Sequence, residues 1–315
     1  MTDAARPLSG RPHPDAVDLK AAPSANWQNA LAWAAGVLAR ANVPDPGRDA
    51  RLCARWASGL SAAGLAAADR DPPGAALASF HAAISARAKR QPLSQIVGER
   101  LFWGRSFAVT ADVLDPRPET ETLIAAALER PARRILDLGT GSGCLLLTLL
   151  AEWPDAHGTG TDRSAAALAV ARRTAAALGV ADRASFALGD WFDPVGGRFD
   201  LILCNPPYVS GAEMADLAPE LAWEPASALT PDLTPEGHPD QAGDGLAAYR
   251  AILPQATSYL APGGRLILEL GRGQAAAVGA IAAAAGLVVE ATRPDFLGIL
   301  RAMLLASARP ADGTE

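Results

Sequence analysis

Short apolar runs alternate with helical stretches along the chain from about residue 120 onward. Four of these runs have the length and composition of buried strands, and they lie at about 133–138, 156–161, 184–188 and 199–204. The stretch from Cys144 to Glu152 is typical of a helix, and two further strands are expected near Leu287–Ala291 and Ile299–Leu305. This alternation predicts an α/β domain built on a doubly wound sheet.

The first part of the chain has a helical pattern instead. Residues about 25–90 are rich in alanine, and their larger apolar residues recur at the spacing of a helix face. We expect one helix capped by Ser24, a second from about Arg48 to Ser58, and a third that contains Leu77, Phe80 and Ile84. These stripes are most simply the core of a small helical bundle.

A β-hairpin is expected between the two regions, because Phe102-Trp103-Gly104 is followed by the alternating residues Phe107 and Val109. The pattern divides the chain into five parts. We predict a disordered leader over residues 1–24, a helical domain over 25–90, a β-hairpin linker over 91–119, an α/β domain over 120–306 and a tail over 307–315.

The strongest chemical signal follows the strand-like run Phe199–Cys204, where the sequence reads Asn205-Pro206-Pro207-Tyr208. Two prolines end the strand, because proline cannot donate to a sheet ladder. An amide side chain is thereby held at the carboxyl end of a strand, where open α/β sheets bind their ligands. The Asn205 side-chain carbonyl and the Pro206 backbone carbonyl can each accept one N–H of a planar –NH2 group. The motif therefore indicates the orientation of an amide or amino nitrogen, although a plain proline turn has the same outline.

A glycine-rich loop and three polar or aromatic residues lie upstream of that motif. Gly139-Thr140-Gly141-Ser142-Gly143 follows the first strand, and alternate glycines let a backbone approach a ligand closely. Asp162 follows the second strand at the distance expected of a residue that binds ribose hydroxyls. Asp190 can accept from an exocyclic amine, and the Trp191 indole can cover a purine. A tight turn, a helix cap at Asp162 and a core position for Trp191 are the structural alternatives.

These pieces are expected to meet in one crevice. In a doubly wound sheet the first strand is flanked by the second on one side and the fourth on the other, and ligands bind where the strand order reverses. The glycine loop follows the first predicted strand, and Asn205 follows the fourth. The loop and the amide would then share the switch point of the sheet.

The segments quoted above resemble those of class I S-adenosylmethionine-dependent methyltransferases that act on nitrogen, and the flanking segments resemble the HemK/PrmC family. The matching flanks are Val113–Glu121, Leu221–Leu229, Gly243–Arg250 and Gly263–Gly271. The resemblance implies a Rossmann-like methyltransferase domain behind a small helical domain. It also implies methylation of the side-chain amide of glutamine in the Gly-Gly-Gln motif of class 1 peptide chain release factors.

The resemblance assigns roles to particular residues. The cofactor-binding residues it implies are Gly139, Thr140, Gly141, Ser142, Gly143, Asp162 and Trp191. Asp190, by its chemistry, and Asn205 complete the predicted cofactor-binding set. The residues implied to recognise glutamine are Asn205, Pro206, Pro207 and Tyr208, of which Asn205, Pro206 and Tyr208 are the predicted catalytic residues. Arg117 and Glu119 lie in a family segment near the entrance, where an ion pair that ties the hairpin to the catalytic domain explains them equally well. The helical block over 25–90 is expected to dock the release factor.

Two features depart from the family pattern. Asp115 stands where the family usually has an aliphatic residue, and the Pro-rich stretch Pro231–Gln241 resembles an insertion in a loop that is normally shorter. Neither lies within the glycine loop or the Asn205–Tyr208 motif, but both could change how a protein substrate sits.

Composition and charge narrow the function further. Residues 1–130 carry 15 Lys and Arg against 13 Asp and Glu, whereas residues 131–315 carry 13 against 21, a net charge of −8. Enzymes that methylate DNA or RNA bases need a basic groove for phosphate, so the acidic catalytic half argues against this rival function. A cofactor-binding docking module without turnover is the second alternative. The intact glycine loop and Asn205–Tyr208 motif argue against it.

The chain carries no signal for a membrane, for secretion or for a metal. No apolar run reaches the roughly 18 residues needed to cross a bilayer. The first 24 residues lack the apolar core of a secretory signal. Cys53, Cys144 and Cys204 are scattered, without the paired spacing of a zinc site. We therefore expect a cytoplasmic protein that contains no metal and does not bind nucleic acid.

Overall fold

A computed structural model describes residues 26–68, 74–234, 237–238, 240 and 242–308. The leader predicted over 1–24 and most of the predicted tail lie outside these residues. The described chain divides into two compact units. One contains the residues up to Gly98 together with the segment Ala218–Trp223, and the other contains Glu99–Leu217 and the residues from Glu224 onward.

The first unit is helical, as the spacing of its apolar residues predicts. Its helices are α1 (Trp27–Arg40), α2 (Pro46–Ser58), α3 (Ala62–Ala66), α4 (Gly74–Ala88) and α5 (Leu93–Val97). The cap expected at Ser24 is wrong: Asn26 is the N-cap of α1, and its side chain accepts from the Asn29 N–H. The helix begins there because Trp27, its first residue, is buried against Phe80. Helix α2 begins two residues earlier than expected, because Pro46 suits the first turn and Asp45 caps it.

A polar cluster fixes the segment Ala218–Trp223 within this unit. Arg87 of α4 is buried and donates to Asp49 at 2.8 Å and to Glu220 at 3.0 Å. Arg90 holds both oxygens of the same Glu220 carboxylate at 2.7 Å. The Gln95 side chain donates to the Trp223 backbone carbonyl at 3.0 Å. The helical unit is therefore completed by residues that follow the Asn205–Tyr208 motif in the sequence.

The second unit begins with the predicted hairpin and continues with alternating strands and helices. Its strands are β1 (Glu99–Phe102), β2 (Arg105–Ala108), β3 (Arg134–Leu138), β4 (His157–Asp162), β5 (Ala184–Leu188), β6 (Phe199–Cys204), β7 (Leu260–Glu269), β8 (Leu287–Pro294) and β9 (Leu300–Ser307). Its helices are α6 (Glu121–Leu128), α7 (Cys144–Glu152), α8 (Ala165–Ala177), α9 (Ala226–Leu229), α10 (Ala247–Tyr259) and α11 (Ala275–Ala284). Short 3-10 turns lie at Pro118–Thr120 and Glu213–Asp216, and a third, Pro219–Trp223, belongs to the helical unit.

Seven strands form one sheet in the order β5-β4-β3-β6-β7-β9-β8. Strands β3 to β7 are parallel where they pair, whereas β9 runs antiparallel to both β7 and β8. The predicted positions of the first four sheet strands and of helix α7 are confirmed, and so is the neighbour relation of the first and fourth strands. The strand order reverses between β3 and β6, which is the switch point of the fold.

Apolar side chains cover both faces of this sheet. On one face Ile135, Leu203 and Leu304 pack with residues of α6 and α7. On the other face Leu136, Ile202 and residues of α10 and α11 form a second cluster. Central strands buried on both sides have near-continuous apolar sequences, which explains the runs seen in the sequence. A polar residue within such a strand therefore needs a specific reason.

Candidate functional site

The candidate site lies at the carboxyl ends of β3 and β6. These strands pair in parallel, with Leu138 opposite Cys204. The glycine loop leaves the sheet one residue after Leu138, and Asn205 follows Cys204 directly. The sheet register therefore brings the loop and the Asn205–Tyr208 motif to the same edge, as the sequence predicts.

The glycine loop has a backbone that favours glycine at three positions. Gly139, Gly141 and Gly143 have φ angles of 67°, 55° and 83°. A Cβ atom at Gly143 would lie 2.7 Å from the Leu147 side chain, so packing excludes it, whereas a Cβ at Gly141 would find no atom nearer than 3.9 Å. Gly141 thus borders open space that a side chain would fill. The loop can accommodate a ligand against its backbone there.

Asp162 at the end of β4 fixes this loop. One carboxylate oxygen accepts from the Gly141 N–H at 2.9 Å and the other from the Ser164 N–H at 2.8 Å. Burial raises the pKa of Asp162, and the two backbone N–H groups oppose that shift. Each oxygen has a second lone pair, so the carboxylate can hold the loop and still accept from ligand hydroxyls.

Thr140 and Ser142 serve the loop differently from the glycines, because both are buried. The Thr140 hydroxyl donates to Asp137 of β3 at 2.6 Å, and the Thr140 N–H donates to the Thr161 carbonyl at 2.8 Å. The Thr140 side chain therefore supports the loop from behind. What this residue can offer to a ligand is its backbone.

Asp190 and Trp191 follow β5 and have contrasting environments. Asp190 is exposed, and its carboxylate lies 3.7 Å from the Arg163 guanidinium. Trp191 is half-buried with a φ angle of 45°, which is unusual for a bulky residue. Its backbone carbonyl accepts from the Thr161 hydroxyl at 2.9 Å, and its ring would lie 3.6 Å from a Cβ at Gly139. The indole is thereby held close to the glycine loop.

The Asn205–Tyr208 motif is held from several sides. The Asn205 amino group donates to the Thr120 hydroxyl at 3.3 Å, and the Tyr208 hydroxyl donates to Glu269 at 3.1 Å. The Gln274 amide donates to the Tyr208 backbone carbonyl at 3.0 Å. At Gly245 a Cβ would lie 2.3 Å from that same carbonyl, so only glycine fits. These contacts make the motif a rigid end to β6.

Two buried carboxyl groups flank the motif. Asp137 of β3 and Glu269 of β7 are each 1% exposed, and each accepts a hydrogen bond of 2.6 Å from a threonine hydroxyl. Desolvation by burial raises the pKa of both groups to about 7. Burial also raises the pKa of Tyr208, which stays a neutral hydroxyl. The site thus contains two acids whose charge changes near neutral pH.

Arg117 and Glu119 have different surroundings. The Arg117 guanidinium donates to both oxygens of Glu224, at 2.6 and 2.8 Å, and lies 3.7 Å from Asp115. Glu119 is half-buried, and its charge contributes to the raised pKa of Glu269. The structure therefore pairs Arg117 with the buried carboxylate of Glu224. Asp115 is buried, and its Oδ1 atom has no hydrogen-bond partner among the described residues.

Sequence reasoning did not identify Thr120, Glu269 or Gln274 as part of the site. A signal for Glu269 exists, because it is the one acidic residue in the otherwise apolar run Leu266–Leu270. No comparable signal marks Thr120, whose contact with Glu269 spans 149 residues of sequence.

The fold and the site together define a class I S-adenosylmethionine-dependent methyltransferase. The residues present fit such a cofactor, because the open space at Gly141, the free lone pairs of Asp162 and the Trp191 indole border one glycine loop. Family models agree: the Methyltransferase small domain matches residues 110–232, and the PrmC N-terminal domain matches residues 29–98. Among the described residues, no helix is long and apolar enough to cross a membrane.

Curated relatives define the family. The release factor glutamine methyltransferase of Cereibacter sphaeroides is 53% identical over 285 residues, which are 90% of this chain and 98% of that protein. The proteins of the same name from Rhodospirillum rubrum and Geobacter sulfurreducens are 45% and 39% identical, and the matches cover 84% and 79% of this chain and 80% and 85% of those proteins. The chain belongs to the release factor glutamine methyltransferase family.

Proposed function

We propose that this protein transfers a methyl group from S-adenosylmethionine to the side-chain amide nitrogen of the glutamine in the Gly-Gly-Gln motif of class 1 peptide chain release factors. One observation supports this function best. Asn205 directly follows β6, at the same end of the sheet as the glycine loop, and its amino group donates a hydrogen bond to the Thr120 hydroxyl. Its side-chain carbonyl is then left to accept from a substrate N–H. The name shared by the relatives gives the substrate class.

The proposed mechanism depends mainly on positioning. An amide nitrogen is a poor nucleophile, because its lone pair is delocalised into the carbonyl. When bound, S-adenosylmethionine supplies an activated methyl group, so the site needs no strong base. Asn205 Oδ1 and the Pro206 carbonyl accept the two N–H groups of the glutamine amide, and Tyr208 walls the site. Orientation of this kind can lower a barrier by about 7–11 kcal/mol. The methylated amide then releases its extra proton to water.

Cofactor binding is assigned to the loop and to the residues around it. The Gly139–Gly143 backbone would border the cofactor, Asp162 would accept from its ribose hydroxyls, and Asp190 would accept from its exocyclic amine. Trp191 covers the purine. Arg117 and Glu119 remain candidates for the entrance, with Arg117 already engaged by Glu224.

The substrate is proposed to be a protein and not a nucleic acid. The net charge of −8 over residues 131–315 is unsuited to a phosphate backbone. We assign docking of the release factor body to the helical block over 25–90, in which Trp56 of α2 is 45% exposed. The cytoplasm is the proposed location, because translation termination takes place there and the described cysteines are all free.

A direct assay tests the function. The purified protein is incubated with methyl-labelled S-adenosylmethionine and a class 1 release factor, and the modified residue is identified by mass spectrometry of peptides. We expect methylation of the Gly-Gly-Gln glutamine and none of a release factor in which that glutamine is replaced by alanine. Asn205→Ala should lower kcat by about 10²-fold or more and retain part of the cofactor binding, because the glycine loop, Asp162 and Trp191 remain.

Parallel reactions separate the alternatives. Methylation of DNA or RNA fragments in place of the release factor would favour the base-modifying function. Binding of release factor and cofactor with no methyl transfer would favour a docking module. Docking by the helical block is tested with Trp56→Ser, which should raise KM for the whole release factor but not for a short Gly-Gly-Gln peptide. Equal KM values for the whole factor would remove Trp56 from the docking surface.

A further inference from the structure

A chain of hydrogen bonds connects a buried carboxyl group to the Asn205 amide. The Asn205 amino group donates to Thr120 Oγ1 at 3.3 Å. Thr120 Oγ1 lies 2.6 Å from Glu269 Oε2, and the Tyr208 hydroxyl lies 3.1 Å from Glu269 Oε1. Thr120 and Glu269 are each 1% exposed, so water does not compete for these bonds. Both ends of the Asn205–Tyr208 motif thus connect to Glu269.

The direction of this chain depends on the protons that each group carries. A hydroxyl has a single hydrogen, and an ionised carboxylate can only accept. When Glu269 is ionised, the Thr120 hydrogen points to Glu269, and the Thr120 oxygen can only accept from Asn205. The Asn205 amino group must then face Thr120, and its carbonyl must face the crevice.

Protonation of Glu269 removes this constraint. A protonated carboxyl can donate to Thr120, which frees the threonine hydrogen to point at Asn205. The Asn205 amide can then rotate so that its carbonyl faces Thr120 and its amino group faces the substrate. An amino group cannot accept from the –NH2 of a glutamine side chain. The rotated amide is therefore unable to orient the substrate.

The groups around Glu269 bring its pKa close to neutral pH. Charged or titratable groups come near it from every neighbouring element, namely Glu119 before α6, Cys144 of α7, Cys204 at the end of β6, Tyr208 beyond β6, Tyr249 of α10 and Arg301 of β9. Burial raises the pKa of Glu269 to about 7, helped by Glu119 and opposed by its hydrogen bonds and by Arg301. The carboxyl group therefore changes charge near neutral pH.

We propose that Thr120 and Glu269 are positioning residues that set the direction of the Asn205 amide, so that its carbonyl faces the substrate. The role rests on the proposed function, in which Asn205 accepts from the glutamine amide. Neither residue need touch the substrate for this. Both lie in segments that resemble the family, Val113–Glu121 and Gly263–Gly271, although the sequence assigns no role to either.

Single-turnover methyl transfer to a release factor, at saturating cofactor and substrate, tests this role. The rate is measured from about pH 5.5 to about pH 8.5 for the parent, Thr120→Val and Thr120→Ser. The parent rate should fall on the acid side of pH 7, where Glu269 takes up a proton. Thr120→Val should be on the order of 10-fold slower at the alkaline end, with unchanged cofactor affinity and a flat pH profile. Thr120→Ser keeps the hydroxyl and should keep both rate and profile.

Thr148→Val is the matched control. Thr148 of α7 is fully buried, and its hydroxyl has no partner among the described residues. The same exchange there should leave the rate and the pH profile as in the parent.

Three results would overturn the proposal. The first is a Thr120→Val variant with the rate and the pH profile of the parent. The second is a parent rate that is constant over the pH range, and this result counts even if Thr120→Val does not fold. The third is a parent protein that transfers no methyl group at any pH, which contradicts the proposed function itself and removes the positioning role with it.

Discussion

Replacement of Arg117 by alanine distinguishes a structural role from a role in substrate binding. The structure pairs this guanidinium with Glu224, whereas the family resemblance places it near the entrance of the site. We expect Arg117→Ala to lower the free energy of unfolding substantially. A residue that only binds substrate would leave stability unchanged and raise KM.

The size of the effect follows from the burial of the two partners. Glu224 is 1% exposed at its side chain and receives hydrogen bonds of 2.6 and 2.8 Å from Arg117. Its remaining contact, with the Asp115 N–H, is long at 3.4 Å. Removal of one partner of a buried pair costs about 3–5 kcal/mol. The Arg117 side chain is 29% exposed, so solvent weakens the pair, and we expect about 2–3 kcal/mol.

The loss of unfolding free energy caused by Arg117→Ala should also depend on pH. Burial raises the pKa of Glu224 above its ordinary value, and Arg117 opposes this shift, so its removal raises that pKa further. A carboxyl group with a raised pKa in the folded state favours folding while it is protonated. That contribution is present below the unfolded pKa of about 4.3 and is lost as pH rises through the folded pKa. Arg117→Ala should therefore lower the free energy of unfolding by more at about pH 8 than at about pH 5.

Urea denaturation at these two pH values measures the effect. Arg100→Ala is the matched control, because Arg100 lies 3.8 Å from Asp115, is 36% exposed and makes no hydrogen bond to Glu224 among the described contacts. Arg100→Ala should lower the free energy of unfolding by less than about 1 kcal/mol. An Arg117→Ala variant with the parent stability at both pH values and a raised KM would refute the structural reasoning.

Three further substitutions test other parts of the protein. Asp162→Ala should weaken S-adenosylmethionine binding by about 1.5–3 kcal/mol, and calorimetry that finds unchanged affinity in a folded variant removes this residue from the site. Arg87→Met should lower the free energy of unfolding by about 3 kcal/mol, because Asp49 and Glu220 lose a buried partner; a urea midpoint equal to that of the parent contradicts this. Asp115→Val should stabilise the protein by about 1 kcal/mol, since it removes the buried Oδ1 that has no partner among the described residues and loses only long ion pairs to Arg100 and Arg117, at 3.8 and 3.7 Å; a lower melting temperature would count against that assignment.

Six of the seven sheet strands could be predicted from the sequence because they carry local signals, whereas β7 (Leu260–Glu269) was not among the predicted strands. The run Phe199–Cys204 is apolar except for Asp200 and is followed by Asn205 and two prolines, and the structure gives the same bounds for β6. Helix α7 likewise begins after the last glycine of the loop. The neighbour relation of β3 and β6 followed from the handedness and order rules of α/β sheets. The position of the site at the sheet edge could therefore be predicted without any long-range information.

The supporting contacts of the site could not be predicted in this way. Thr120, in the turn before α6, and Glu269, at the end of β7, are brought together by the packing of α6 against the sheet, and no local pattern encodes their distance. The left-handed backbone conformation of Trp191 could not be predicted from the sequence either, because bulky residues rarely adopt it. The helix cap lies at Asn26 and not at the predicted Ser24, and the first helical residue, Trp27, is buried, which is a tertiary property. Sequence patterns thus predicted where the candidate site lies, and packing determines how its residues are held.

The segment Ala218–Trp223 makes the helical unit dependent on the order in which the chain is synthesised. Helices α1 to α5 leave the ribosome first, and Arg87 then already has Asp49 as a partner. Arg90 must wait for Glu220, which lies 130 residues later. At roughly 5–20 residues per second, that delay is about 6–26 s. The first unit to emerge therefore reaches its final set of ion pairs only after strands β3 to β6 of the second have been made.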